Sequence, residues 1–358
     1  MPRPGLDGKG RGMAIDATVL GAGVFGLACG WAMARRGARV RVVDPAGVAA
    51  GASGGIVGAL APHAPEAWDE TKAFQLRSLL MAEDWWAAVA EAGGGDPGYG
   101  RTGRLQPVAD EAALARAEAR AAAAAGLWQG AAAWRVEEAP SDWSPGTARV
   151  VRDTLSARLH PRRACAALAA AIRAAGGAVV ASAPPEGAVL HATGWRGLAG
   201  MQDAAGRPAG SGVKGQAVLL RLDRRDLPQL YVDGMHVVPH ADGTTAIGST
   251  TERDFAGEAP DGGAEALLAR AVAAVPALAG AEVLERWAGV RPRARSRTLL
   301  LGRWPGSEGR FVATGGFKIG FGMAPLVAET MADLILDGRD AVPAAFRADG
   351  LAPWAGGD

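Results

Sequence analysis

A glycine-rich turn set between an apolar run and a helical pattern constrains this chain more than any other feature. Gly21-Ala22-Gly23-Val24-Phe25-Gly26 follows the short apolar stretch 16–20 and opens a helical pattern over 24–36. A second apolar run, 39–43, then ends at Asp44. Strand, turn, helix, strand and acid arrive in the order that a dinucleotide-binding β-α-β unit requires. Gly21 permits the tight turn, Gly23 lets the backbone approach a pyrophosphate, and Gly26 lets the helix pack closely on the strand. Val24 and Phe25 begin a helix whose free N–H groups and positive potential favour phosphate. Asp44 can accept hydrogen bonds from both ribose hydroxyls and would repel a 2′-phosphate, which disfavours NADP.

The same glycine spacing recurs at Gly210-Ser-Gly212-Val-Lys-Gly215, in a different context. That copy follows a polar stretch and leads into an apolar run at 217–222, so it is read as a turn. An NAD(P)H-dependent flavin reductase would need a second genuine dinucleotide site, and none is expected. With 358 residues the chain can hold two or so domains of roughly 150 residues each. Its 38 basic and 37 acidic residues leave a formal charge of +1, so neither nucleic acid nor lipid is an expected stable partner. Cys29 and Cys165 are too few for a disulfide framework and lack metal-ligand spacing, which points to a reducing compartment, the cytoplasm. No run of about 18 apolar residues occurs, so no membrane span is expected. The basic, glycine-rich stretch 1–13 is read as a disordered leader, with Met13 as a candidate natural start.

Composition over 83–125 is helical, with a Gly-Gly-Gly-Asp-Pro-Gly break at 93–98, and this stretch is assigned no chemistry. A helical period returns over 161–175, followed by a strand at 178–181 and another strand-to-glycine turn at 188–194. Short β-rich runs at 217–222, 235–239 and 244–247 read as an antiparallel sheet inserted into an α/β framework. A helix at 265–275, a strand at 310–313 and a helix at 324–336 follow, the last with Pro325 placed in its first turn.

Five segments taken in order, 18–30, 51–60, 192–194, 289–292 and 314–322, resemble the D-amino-acid oxidase superfamily, in particular its glycine oxidase and sarcosine oxidase branches. The resemblance implies a Rossmann-like FAD-binding domain over 14–82, 150–205 and 283–358. An inserted antiparallel-sheet substrate domain would occupy 83–149 and 206–282. It places Ser53 and Gly54 along FAD, Thr193 and Gly194 at the second turn, and Gly315, Gly316, Lys318 and Gly320 at the flavin edge. The final helix would point its N-terminus at the flavin, where a helix dipole stabilises the negative charge of reduction. Family members that hold FAD covalently use a cysteine near the C-terminal segments, and neither Cys29 nor Cys165 lies there, so non-covalent FAD is expected.

The implied substrate is a small amine or amino acid of the glycine, sarcosine or D-amino-acid type, with oxygen or a quinone as final electron acceptor. Arg291, in the Gly-Val-Arg-Pro segment 289–292, falls where the family supplies its carboxylate-binding arginine, and a planar guanidinium suits that task. Lys318 is a candidate second contact. His236 stands where glycine oxidases present a tyrosine. His240 shares its strand face and is weighed between a pocket position and an exposed loop. His63 is a candidate to approach the flavin. The chain departs from the family after Pro292, where Arg293, Arg295 and Arg297 alternate. A similar basic run occurs in the FAD half of the bacterial enzyme that remodels a wobble uridine in transfer RNA. A transfer-RNA demodifying oxidase therefore stands as an alternative, beside a flavoprotein that keeps FAD only as structure.

Overall fold

The computed structural model describes residues 14–354, and the leader expected over 1–13 lies outside the described residues. The glycine turn joins Ala17–Leu20 (β1) to Val24–Ala34 (α1), and Val40–Val43 (β2) returns parallel to β1. Ala59–Leu60 (β3) leads to the long helix Glu70–Gly93 (α2), where Asp69 accepts the Lys72 N–H at 2.8 Å as the N-cap. Gly94 ends this helix at φ 67°, a left-handed conformation that suits glycine. Arg104–Val108 (β4), Glu111–Leu127 (α3), Trp134–Glu138 (β5), Arg149–Asp153 (β6) and Ala157–Arg158 (β7) follow. Next come Pro161–Ala174 (α4), Ala178–Val180 (β8), Ala188–His191 (β9) and Gly194–Gly200 (α5). Gly210–Arg221 (β10), Gln229–Val232 (β11), Met235–Pro239 (β12), Thr245–Gly248 (β13) and Gly262–Ala274 (α6) come before Glu282–Ala294 (β14). Leu300–Arg303 (β15), Arg310–Thr314 (β16) and Gly320–Asp337 (α7) complete the named elements.

One sheet has the order β15-β16-β9-β1-β2-β8, parallel from β16 to β8 with β15 antiparallel at the edge. From β1 the chain builds outward through β2 and β8 on one side, and through β9 and β16 on the other. The switch in direction lies between β1 and β9, and open α/β sheets bind ligands beyond the carboxyl ends of their strands at such a point. Helix α1 is buried at every residue from Val24 to Ala34, so it is apolar all round and sits at the centre of the layers. Its neighbours α2, α4 and α7 add Trp86, Leu168 and Met331 to the same core. The second sheet has the order β14-β10-β13-β12-β11-β4-β6-β5, antiparallel except for the parallel pair β11 and β4, and α6 covers its own apolar cluster. Among the described residues no helix is long and apolar enough to cross a membrane.

The architecture is thus the expected α/β framework with an inserted, largely antiparallel sheet, but several elements differ from the sequence reading. The stretch 83–125 is not helical throughout: α2 begins at Glu70, and the strand β4 separates it from α3. A boundary at 82/83 therefore cuts α2, and β14 belongs to the second sheet, pairing with β10 from Gly210↔Ala294 to Arg221↔Glu282. The second glycine motif is not a turn. It begins β10, and its glycines serve close packing, since a Cβ on Gly212 would stand 2.8 Å from the Trp195 ring. The last helix starts at Gly320, so Pro325 lies inside it and not in its first turn. Proline there removes one helix donor, while the next N–H, of Leu326, reaches the Ser78 hydroxyl at 3.3 Å. The basic run does not form a free stripe: Arg295 pairs with Asp203 at 2.7 Å and Arg293 stacks on Phe317 at 5.5 Å.

Candidate active site

At the switch point the two glycine turns meet. Gly21 has φ 110°, and a Cβ there would stand 2.3 Å from the Ala192 carbonyl oxygen, so only glycine lets β1 and β9 close at their carboxyl ends. A Cβ on Gly26 would stand 1.9 Å from the Gly21 oxygen, which is why the helix can follow the turn so tightly. Thr193 is exposed beside Gly21, and around Gly194, at φ 64°, an added Cβ would meet nothing within 4 Å. The Ser53 hydroxyl accepts the Val24 N–H at 2.9 Å, which brings the segment Ala52–Gly54 onto the N-terminus of α1. Asp44 accepts from the Ala22 N–H at 2.8 Å through one oxygen and from the Ala46 N–H at 3.0 Å through the other. Each of its oxygens keeps a lone pair for a ribose hydroxyl.

The N-terminus of α7 lies beside that of α1: a Cβ on Gly316 would stand 3.0 Å from the Phe25 ring, and one on Gly320 would stand 3.6 Å from Val24. Two positive helix ends therefore face one space. Gly315 turns at φ 81° just before it. These residues fit FAD: a glycine cradle that any Cβ would fill, a ribose acceptor, and paired helix dipoles for the pyrophosphate and the flavin. Both cysteines are wholly buried, Cys165 with its thiol pushed up to about 12 by desolvation and Cys29 raised still further. Neither opens onto this space. Asp44→Ala is expected to weaken FAD retention by about 1.5–3 kcal/mol, the worth of hydrogen bonds to a charged acceptor. Ultrafiltration of the yellow protein checks this, and wild-type retention would move the dinucleotide site elsewhere.

Where the two sheets meet, a cavity of about 290 Å³ opens beside the start of α7. Lys318, Ile319 and Gly322 line it from that side, and His63 from the segment after β3. The opposite wall comes from the second sheet, with Arg104 and Gln106 on β4, Trp134 on β5, Tyr231 on β11 and His236 on β12. His63 thus joins Lys318 and His236, and its backbone N–H donates to Gln75 Oε1 at 2.7 Å. Tyr231 pairs directly across from His236, with ring centroids 4.7 Å apart. A phenol therefore enters the cavity from the neighbouring strand. Sequence reasoning had found only the histidine.

The tautomer of His236 follows from its partner. Gln229 donates its amide Nε2 to the Ala157 carbonyl at 3.0 Å, so its Oε1 faces His236 Nδ1 at 3.1 Å. Nδ1 must then carry the proton, and Nε2 keeps a lone pair. Desolvation, with smaller contributions from Arg104 and Lys318, lowers this imidazole to about 3, so it stays neutral. His240 is neither a cavity residue nor an exposed loop residue. It is 1 % exposed, its Nε2 lies 2.8 Å from the Ile56 carbonyl, and its ring packs on His160.

Arg291 does not line the cavity. It is 8 % exposed on β14, with Nη2 donating to Ser249 Oγ at 2.5 Å and Nη1 to the Thr250 carbonyl at 3.3 Å. Gly215 makes room for it, since a Cβ there would stand 1.8 Å from the guanidinium. Among the described residues it has no ion-pair partner, and burial lowers it to about 10. Lys318 is exposed, yet its ammonium lies below the usual lysine range through desolvation first and then Arg291 and Arg293.

All five histidines are lowered by burial, His191 and His240 to about 4. From about pH 6.5 down to about 4 the unfolded chain binds protons that the folded rings refuse, so stability falls as pH falls through that window. Each unit of depression is worth about 1.4 kcal/mol. Urea midpoints at pH 7.5 and pH 5 check this. Equal midpoints would mean that the rings protonate in place.

The sequence family described as FAD dependent oxidoreductase matches residues 16–334. Glycine oxidase of Pseudomonas putida is 33% identical over 141 residues, an alignment spanning 38% of this chain and only 39% of that protein. Glycine oxidase of Geobacillus kaustophilus is 27% identical over 366 residues, covering 89% of this chain and 92% of that protein. A crystal structure of glycine oxidase from Geobacillus kaustophilus superposes with a TM-score of 0.79 at 23% identity, covering 93% of this chain and 98% of the other, which shows the shared fold. With the family matched across both sheets and both glycine turns, the chain belongs to the D-amino-acid oxidase (DAO) family of FAD dependent oxidoreductases.

Proposed function

We propose that this protein oxidises the carbon–nitrogen bond of a small amino acid or N-substituted amino acid, of the glycine, sarcosine or D-amino-acid type. One observation carries the reading: Arg291 is a buried guanidinium without an ion-pair partner among the described residues, and Lys318 adds a second positive charge beside it. Desolvation outweighs the attraction of Glu252, which makes no direct ion pair with Arg291, and a substrate carboxylate would supply a direct partner through two parallel hydrogen bonds. The glycine oxidase names of the relatives support the same substrate class.

Lys318, in the cavity lining, would meet the carboxylate there, Arg291 would reach it from β14 outside that lining, and the His236 Nε2 lone pair would accept an N–H of the substrate amine. Neutral His236 neither repels an ammonium nor competes with Lys318 for the carboxylate. The walls from Leu60, Ile319 and Gly322 keep the reacting carbon out of bulk water. The flavin, when bound, would take up a hydride, the electron pair of the α-carbon–hydrogen bond, while the amine nitrogen loses a proton and the carbon–nitrogen bond becomes an imine. The imine released then adds water to give an oxo acid and ammonia or an amine, and oxygen or a quinone is the final acceptor. Both free, buried thiols support a reducing compartment, the cytoplasm.

The test is an anaerobic screen of glycine, sarcosine, proline, D-amino acids and N-carboxymethyl amines, following the flavin absorbance. Bleaching by amino acids and not by amines lacking a carboxylate is expected. A flavin that stays oxidised under every amine would leave FAD a structural group and end this reading.

A further inference from the structure

The far wall of the cavity carries unpaired donors from three side chains. Arg104 is 6 % exposed, and its Nε donates to Asp153 at 2.8 Å. Among the described residues its two terminal nitrogens have no hydrogen-bond partner, and its side chain lines the cavity. Gln106 Nε2 and Trp134 Nε1, from the same wall, are buried without a partner. The register explains why the three converge. Arg104 and Gln106 are two apart on β4, so they share a face, and Arg104↔Asp153 and Trp134↔Asp153 set Arg104 and Trp134 on either side of one β6 residue. Asp153 takes Arg104 Nε on one oxygen and the Ser156 N–H on the other, both at 2.8 Å, and neither Gln106 Nε2 nor Trp134 Nε1 hydrogen-bonds to it. Arg120, at the rim, is satisfied by both oxygens of Glu66 at 2.8 and 2.6 Å.

A buried donor without an acceptor costs about 1–3 kcal/mol; Gln106 Nε2 and Trp134 Nε1 are two such donors, and the terminal nitrogens of Arg104 line the cavity beside them without a hydrogen-bond partner among the described residues. An acceptor-only group with several lone pairs answers all of them, and a carboxylate is that group. Arg104, His236 and Lys318 line the same cavity, and Lys318 feels the positive charge of Arg291. We propose that Arg104, Gln106 and Trp134 form a distal carboxylate subsite, so that the preferred substrate is an amino acid bearing a second carboxylate on its side chain or nitrogen substituent. The proposal rests on the amine-oxidation reading for its chemistry, while the subsite itself can be tested apart from it.

Unreactive acids titrated calorimetrically into the FAD-loaded protein provide the first arm. Glutarate is expected to bind at least about tenfold more tightly than valerate or glutaramate, the scale of one charge-assisted contact pair. Arg104→Met alone would leave Asp153 a buried, unpaired carboxylate, so it is combined with Asp153→Asn, and Gln106→Leu is made separately. The glutarate preference should vanish in the double variant and fall several-fold in Gln106→Leu. Equal binding of glutarate and valerate, equal binding of glutarate and glutaramate, or a preference that survives in the double variant overturns the proposal. The second arm compares anaerobic flavin reduction by N-(carboxyethyl)glycine and N-propylglycine. Selective glutarate binding with no reduction by any amine would keep the subsite and reject the oxidation reading. Reduction by both amines at equal second-order rates would keep the oxidation reading and reject the subsite.

Discussion

Replacing Arg291 with leucine is expected to cut the second-order rate of flavin reduction by amino acids by roughly a hundredfold or more, with FAD still bound. A desolvated, bidentate charge pair accounts for about 3 kcal/mol of such a loss. The fold should survive and can gain stability, because the change removes a guanidinium that is 8 % exposed and has no ion-pair partner among the described residues. This pairing of a stabler protein with a slower reaction separates a substrate anchor from a structural arginine, whose removal would lower stability and leave the rate alone. Arg291→Lys should recover only part of the rate, since an ammonium lacks the planar fork. Stopped-flow reduction together with urea unfolding measures both quantities. An unchanged rate in Arg291→Leu would remove Arg291 from the substrate site and leave the FAD fold untouched.

Gly21→Ala is expected to abolish FAD retention and to destabilise the protein itself. At φ 110° an alanine is strained, and strain of that kind costs about 1–3 kcal/mol by itself. The added methyl would also stand 2.3 Å from the Ala192 oxygen, so β1 and β9 must part where Ala192 N–H donates to Leu20 at 2.8 Å. The loss therefore exceeds the strain, and it falls at the carboxyl ends of the strands, in the glycine cradle that fits the cofactor. Gly194→Ala makes a useful contrast: it shares a positive φ, at 64°, but its added methyl would meet nothing within 4 Å. It should cost less stability. Wild-type unfolding and flavin content in Gly21→Ala would show that the turn is neither strained nor part of the cofactor site.

The dinucleotide half of the molecule was legible because its signals are local. The first turn, the helix it starts and the acid after β2 lie within one contiguous β-α-β unit, so spacing alone carried the geometry. The substrate half was only partly legible. His236 and Lys318 could be marked as candidates, but His240, on the same apparent strand face, turned to the Ile56 carbonyl instead. The two glycine motifs make the same point in reverse. Identical spacing gave a strand-to-helix turn before α1 and the opening of a strand at β10, where Gly215 yields space to Arg291 from the paired strand β14.

What the sequence by itself determined was the β-α-β unit, its FAD chemistry and the presence of a second, β-rich layer. The tertiary structure alone decided which polar groups share a cavity. Arg104 and Gln106 lay in a stretch read as helix, because a five-residue strand next to an alanine-rich helix has too little periodicity to be heard. Trp134, Tyr231 and His236 reach the same space through strand register, which hydrogen bonding between distant segments sets. Whether Arg291 carries an unanswered charge depends likewise on every carboxylate that could fold against it. That is a property of the assembled core, and no local pattern encodes it.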